Sequence, residues 1–193
     1  MPNDANEPQK ILAIEDYVKN NISIDKDIIA EGADNIETII KKKAANADGG
    51  IRLFAGNFDT LTITYQIVFP GTRTGYTIDA DLENWNRANN TLIYFPGSGK
   101  FISPSSTELR YPFIPYQFAA TRGLFLKGTQ IGDFKTAIGS FGDIPIEPFD
   151  QNALDLESDI QLNADLDTAF LKSKQILKGY GAVGYRPVYN FLT

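Results

Sequence analysis

The sequence predicts an α+β protein. N-terminal helices lead into a predominantly antiparallel β-sandwich or barrel core, and one C-terminal helix precedes a final strand. Three observations carry this expectation. Helical spacing of apolar residues is concentrated in the first 50 residues. From Ile51 to about Ile146 the texture turns to Gly, Pro, Thr and aromatics, with short apolar runs between turn signals. Thr60–Phe69 alternates apolar and polar residues with period two. Parallel pairing would need crossover helices between the strands, and that stretch carries no helical pattern.

Residues 1–8 read as a polar arm. A helix begins near Asn6, with Pro8 in the first turn, where a missing N–H costs nothing. Ile11, Ile14 and Val18 share one face beside Tyr17, and Asn20-Asn21 ends the helix. Residues 22–29 fit strand or helix equally. A second helix is expected from Asp34 to about Ala45. Ile36, Ile39 and Ile40 make its stripe, Glu37 stands four residues before Lys41, and Lys41-Lys42-Lys43 suits the negative end of the dipole. Asp48-Gly49-Gly50 closes this helical part, so the domain reading is 1–50 and 51–193.

Strands are expected at Ile51–Ala55, Thr60–Phe69, Gly75–Asp79, Thr91–Phe95, Leu109–Ile114, Gly123–Lys127 and Thr136–Ile138. Pro70-Gly71, Pro96-Gly97, Pro104-Ser105 and Gly142-Asp143 punctuate them. Residues 143–167 form an acidic loop with eight carboxylates and no Lys or Arg. A helix over about 165–178 follows. Asn163 or Asp165 caps it, Leu166, Phe170 and Leu177 make its apolar face, and Lys172, Lys174 and Lys178 fill its later turns. Gly179 supplies the exit. Val183–Leu192 reads as a last strand, and Pro187 favours an edge position.

The 193 residues include no His and no Cys. This removes the imidazole proton shuttle, thiolate nucleophiles, Ser-His-Asp arrangements and His/Cys zinc sites. Apolar content of 42% and charged content of 22% are ordinary for a globular protein. A net charge of −6 disfavours phosphate-driven contact with nucleic acid. No run approaches the roughly 18 apolar residues of a membrane span. The opening MPNDANEPQK lacks the basic start and apolar stretch of a secretory signal.

Apparent motifs fail on spacing. Phe95-Pro96-Gly97-Ser98-Gly99-Lys100 has Tyr94 and Phe101 where a phosphate loop needs Gly and Ser or Thr, so a hairpin turn is expected. Gly179-Tyr180-Gly181-Ala182-Val183-Gly184 fits the letters of a dinucleotide fingerprint but leaves no room for the remaining fold. Ser140 lacks the upstream Gly of a nucleophile elbow. The acidic residues Asp150, Asp155, Glu157 and Asp159, and the cluster Asp79, Asp81 and Glu83, match no calcium loop and read as solvated or partner-facing surface. No catalytic residue, cofactor or metal ligand is assigned.

The residues singled out are therefore interface candidates. Trp85 sits in an Asn-rich segment. Tyr111, Phe113 and Tyr116 lie in the aromatic, proline-punctuated stretch from Arg110 to Phe118, and Tyr189 and Phe191 line the final segment. The expected function is a non-enzymatic assembly protein of a virion, a phage capsid, neck or tail component. It would meet subunits of the same or a neighbouring type in an oligomeric assembly. The alternative is an exported surface or periplasmic module recognising glycan or peptide through Trp85. A third reading is a histidine-free enzyme such as a prolyl isomerase, whose chemistry rests on an aromatic pocket.

Overall fold

The computed structural model describes residues 5–25, 27–28, 31–79, 81 and 90–185. It is an α+β protein with a β-rich core, in two compact units, 1–146 and 147–193.

In the first unit, helix α1 spans Glu7–Asn21. Asn6 Oδ1 accepts the Gln9 N–H at 3.0 Å, and Gln9 Oε1 accepts the Asn6 N–H at 2.9 Å. This reciprocal box satisfies two donors that a helix start leaves open. Ile11, Ile14 and Val18 are buried along one face. The ambiguous segment after it contributes β1 (Ser23–Ile24), paired in parallel with β2 (Ala44–Ala45). Between them α2 (Ile36–Lys42) is shorter than expected at both ends: Asn35 caps its start, and Lys43 turns the chain out at φ 57°.

The first correction concerns Ile51–Ala55, which is helical. Helix α3 covers Ala47–Thr60 and runs across position 50, where the sequence pattern placed a break. Asn46 Oδ1 takes the Gly49 N–H at 2.8 Å. Gly49 and Gly50 lie in the first turn, where they allow close approach rather than ending the helix. A Cβ on Gly49 would collide with the Ala33 carbonyl and lie 2.8 Å from Ile39 Cδ1. Leu53, Phe54 and Phe58 then fall on one buried face at helical spacing.

Five antiparallel strands form one sheet, β3 (Gln66–Pro70), β4 (Leu92–Phe95), β5 (Lys100–Ile102), β6 (Thr121–Ile131) and β7 (Phe134–Ile144), in the order β5-β4-β3-β6-β7. Neither a barrel closure nor a second facing sheet is part of this order among the described residues. The Thr60–Phe69 alternation enters the ladder only from Gln66, because Thr60 ends α3 and Thr62 turns at φ 54°. Residues 75–79 and 109–114 form no strand.

Alternation along β4 sorts the core. Ile93 and Phe95 face the helices, with Ile102, Phe54 and Phe58. Leu92 faces the other side, with Val68, Phe101, Phe125, Ile114 and Phe118. Phe58 and Phe95 meet edge to face with ring centres 5.1 Å apart. Ile114 and Phe118 thus bring the later part of the 107–120 segment onto the face of the sheet that the helices leave open, while Tyr111 packs with the helix-side cluster.

The second unit overturns the C-terminal helix. Residues 165–178 are not helical: β8 (Ala153–Leu162) and β9 (Ala169–Lys178) form an antiparallel hairpin of ten residue pairs. The capping residues are spent on the turn. Asn163 Oδ1 accepts the N–H groups of Asp167 at 3.1 Å and Thr168 at 3.2 Å. The side chains of Asn163 and Thr168 both donate to Asp167 and hold its carboxyl below the usual carboxylate range. Local helix signals lose here to a ladder whose partner lies upstream. A 3₁₀ turn at Gly179–Tyr185 follows, at the start of the expected last strand; residues 186–193 lie outside the described residues.

Candidate functional site

The β8–β9 hairpin separates its side chains by chemistry. Directly opposed residues share a face. Leu154 opposes Leu177, Leu156 opposes Gln175, Ser158 opposes Ser173, Ile160 opposes Leu171, and Leu162 opposes Ala169. That face carries no charge. On the other face Glu157 opposes Lys174 and Asp159 opposes Lys172, with Asp155 and Lys178 further along and Phe170 and Ile176 as large apolar exceptions. Among the described residues the apolar face is uncovered: Ile160 and Leu171 are each 66% exposed, and Leu154, Leu156 and Leu162 are also exposed.

The base of the hairpin is built tightly. Asn152 Oδ1 accepts the Tyr180 N–H at 2.9 Å. Gly179 holds φ +58°, and a Cβ there would strike Asn152 Oδ1 and lie 2.5 Å from the Gln151 carbonyl oxygen. Only a glycine fits both demands.

A second hairpin leaves the first unit. β3 pairs with β6 only as far as Leu126, whereas β6 and β7 stay paired out to Ile131 and Phe134. Residues 127–138 therefore extend as a two-stranded arm, closed by Gly132 at φ +61° and Asp133. Ile131, Phe134 and Ile138 lie on one face of the arm and are exposed.

Two open hollows mark the first unit. One of about 440 Å³ has an aromatic floor of Tyr94, Phe101 and Phe125, with Gln66, Ser140 and Asp143 on its walls. The Tyr94 ring stands edge to face with Phe125 at 5.2 Å. The other, of about 650 Å³, is lined by Thr72, Arg73, Arg122 and Asp143 among others. Asp143 is the one carboxylate among the lining residues of each, so neither assembles a two-carboxylate acid–base pair among the described residues. Among the described residues, no three carboxylates gather where they could hold one ion, and no helix is long and apolar enough to cross a membrane.

The interface candidates are placed as follows. Tyr111 is half-buried, its ring packing against Phe95 at 6.0 Å and its N–H donating to Glu15 Oε2 at 2.6 Å. Phe113 is half-buried, and Tyr116 is 67% exposed. Trp85, Tyr189 and Phe191 lie outside the described residues, as does Glu83 of the acidic cluster. The phosphate-loop lookalike is the turn between β4 and β5, where the Ser98 and Gly99 N–H groups donate to the Phe95 carbonyl. The apolar rows of the two hairpins were missed by the sequence reading. Their signal was present, since Leu154, Leu156, Ile160 and Leu162 recur at even positions through the acidic loop.

Comparison with protein-family models, with curated proteins and with solved structures gives no match.

Proposed function

We propose that this chain is a non-enzymatic structural subunit of a virion, a capsid, neck or tail component of a phage, that works by packing against copies of itself or neighbouring subunits. The observation that supports this is the exposed apolar face of β8–β9. A two-stranded hairpin is marginal in water on its own. An exposed, largely apolar face with a charged opposite face marks an interaction surface; Ser158, Ser173 and Gln175 are its polar members. The β6–β7 arm adds a second apolar row extending past its own sheet. Long hairpins of this kind suit subunits that lie across one another in a particle wall, where binding energy comes from many repeated contacts.

The test is the native mass of the full chain by light scattering, with negative-stain electron microscopy. Defined multimers are expected. Replacing Ile160 and Leu171 together by Ser should lower the assembled mass while leaving the fold intact, because both side chains are exposed in the single chain. A monomer at high protein concentration would overturn the proposal.

A further inference from the structure

We infer that the β8–β9 hairpin joins copies of this chain head to tail, the outer edge of β9 in one copy pairing with the outer edge of β8 in the next. The inference rests on the assembly reading and names the contact that carries it.

The two strands have opposite charge. β8 holds Asp155, Glu157 and Asp159 and no basic residue, whereas β9 holds Lys172, Lys174 and Lys178 and no carboxylate. All six point to the same face. Each strand has one partner among the described residues, so each presents an outer edge with open backbone donors and acceptors. A second hairpin can add to that edge in three ways. Pairing β8 with β8 lays carboxylates beside carboxylates, and pairing β9 with β9 lays lysines beside lysines. Pairing β9 with β8 alone brings opposite charges together, and opposite charges across neighbouring strands stabilise a sheet while like charges oppose it.

The pattern tolerates stagger. With β9 meeting the next β8 in the register it uses within its own hairpin, Lys172 meets Asp159 and Lys174 meets Glu157. A slip of two residues one way gives Lys172 with Glu157 and Lys174 with Asp155; the other way gives Lys174 with Asp159 and Lys178 with Asp155. Slips of two also keep every side chain on its own face. The apolar rows Leu154, Leu156, Ile160 and Leu162 of one copy thus continue into Leu171 and Leu177 of its neighbour.

Copies added this way all point their hairpins alike, and the joined sheet is antiparallel throughout. The contact is heterologous, so rotation that closes yields a ring. Closure into a barrel removes the last open edges and turns the apolar rows inward, away from water.

The test uses two variants of the full chain, each examined alone and in equal mixture by native mass spectrometry. Glu157→Lys with Asp159→Lys makes both edges basic. Lys172→Glu with Lys174→Glu makes both acidic. Each alone should fall toward the 21.3 kDa of one chain. The mixture should reassemble with the two variants in equal number, at the wild-type mass where the ring holds an even number of copies and at a neighbouring even number where it does not, a result that also shows both to be folded. The fourfold exchange of all these charges should assemble by itself, since its edges are again opposite. Each double variant also sets like charges opposite one another inside its own hairpin, so the fourfold exchange, which keeps those pairs opposite in sign, decides: its failure to assemble overturns the edge pairing, as does wild-type mass in either double variant alone. If the wild type assembles and the charge variants assemble equally, only this contact falls and the assembly reading stands. If the wild type is a monomer, both fall. Insertion of the monomeric wild-type chain into phosphatidylcholine vesicles would likewise overturn it, because lipid would then cover the apolar face.

Discussion

Glu15 Oε1 stands 2.6 Å from Lys19 Nζ, and both side chains are completely withdrawn from water. The pair lies one turn apart on α1 and fastens a distant segment. Lys19 Nζ donates to the Leu109 carbonyl at 2.8 Å, and Glu15 Oε2 accepts the Tyr111 N–H at 2.6 Å. Arg110, between them, donates to Asp16 Oδ1 at 2.7 Å and Asn20 Oδ1 at 3.1 Å. The irregular segment that covers the sheet is thus anchored to α1 through polar groups.

Breaking this pair from one side should be costly. Glu15→Leu leaves the Lys19 charge buried without its partner and should lower unfolding free energy by about 3–5 kcal/mol. Adding Lys19→Met should recover part of that loss, since no charge is then stranded. Denaturant unfolding of the two single variants and the double variant checks it. A double variant no more stable than Glu15→Leu would refute the account.

The same pair gives a pH dependence. Burial lowers the Lys19 pKa from its ordinary 10.5, and outweighs the opposing pull of Glu15. The folded chain therefore loses this proton at lower pH than the unfolded chain. Between the lowered value and 10.5 the unfolded state binds more protons, so this contribution to stability rises with pH. Below that window the cost of burying the ammonium is fully present. Denaturation midpoints followed from neutral pH upward should rise more steeply, or fall less, in the wild type than in Lys19→Met. Parallel curves would count against it.

Phe58 joins α3 to the sheet. Its ring stacks near Phe54 at 6.0 Å and meets Phe95 edge to face. Phe58→Ala should cost about 3–5 kcal/mol through lost burial and the cavity left behind. Thermal or denaturant unfolding measures it, and a loss under 1 kcal/mol, the order of a single buried methylene, would mean that α3 does not hold the core.

Gly179→Ala should loosen the base of the β8–β9 hairpin by about 1–3 kcal/mol, the usual range for a strained left-handed backbone position. Hydrogen exchange should quicken in β8 and β9 while α1 amides keep their protection. Unchanged exchange in the hairpin would show that the base has room for a Cβ.

What could be read from the sequence follows the range of the forces involved. Asn6 and Pro8 announce α1 because a cap and a first-turn proline act within four residues. The turn at Pro96–Gly99 was equally local. α3 was lost because Gly49-Gly50 looks like a terminator, and its role in close packing depends on Ala33 and Ile39 from elsewhere. The helix expected over 165–178 failed for the opposite reason. Its cap, dipole and exit signals were complete, yet Asn163 and Asp167 served a hairpin turn, and β9 took its partner from the stretch treated only as an acidic loop. The candidate surface was legible in that stretch as alternation, hidden beneath the charges that alternate with it.

The β6–β7 arm also has a mechanical consequence. Its root is held where Ile67–Pro70 of β3 pairs with Gly123–Leu126 of β6. Those hydrogen bonds lie across the strands. A pull on the tip at Gly132 runs along the strands and loads the root bonds together, sideways, so that no single bond yields first. The arm therefore resists a lengthwise pull better than a lever peeling the strands apart, which would meet those bonds one at a time.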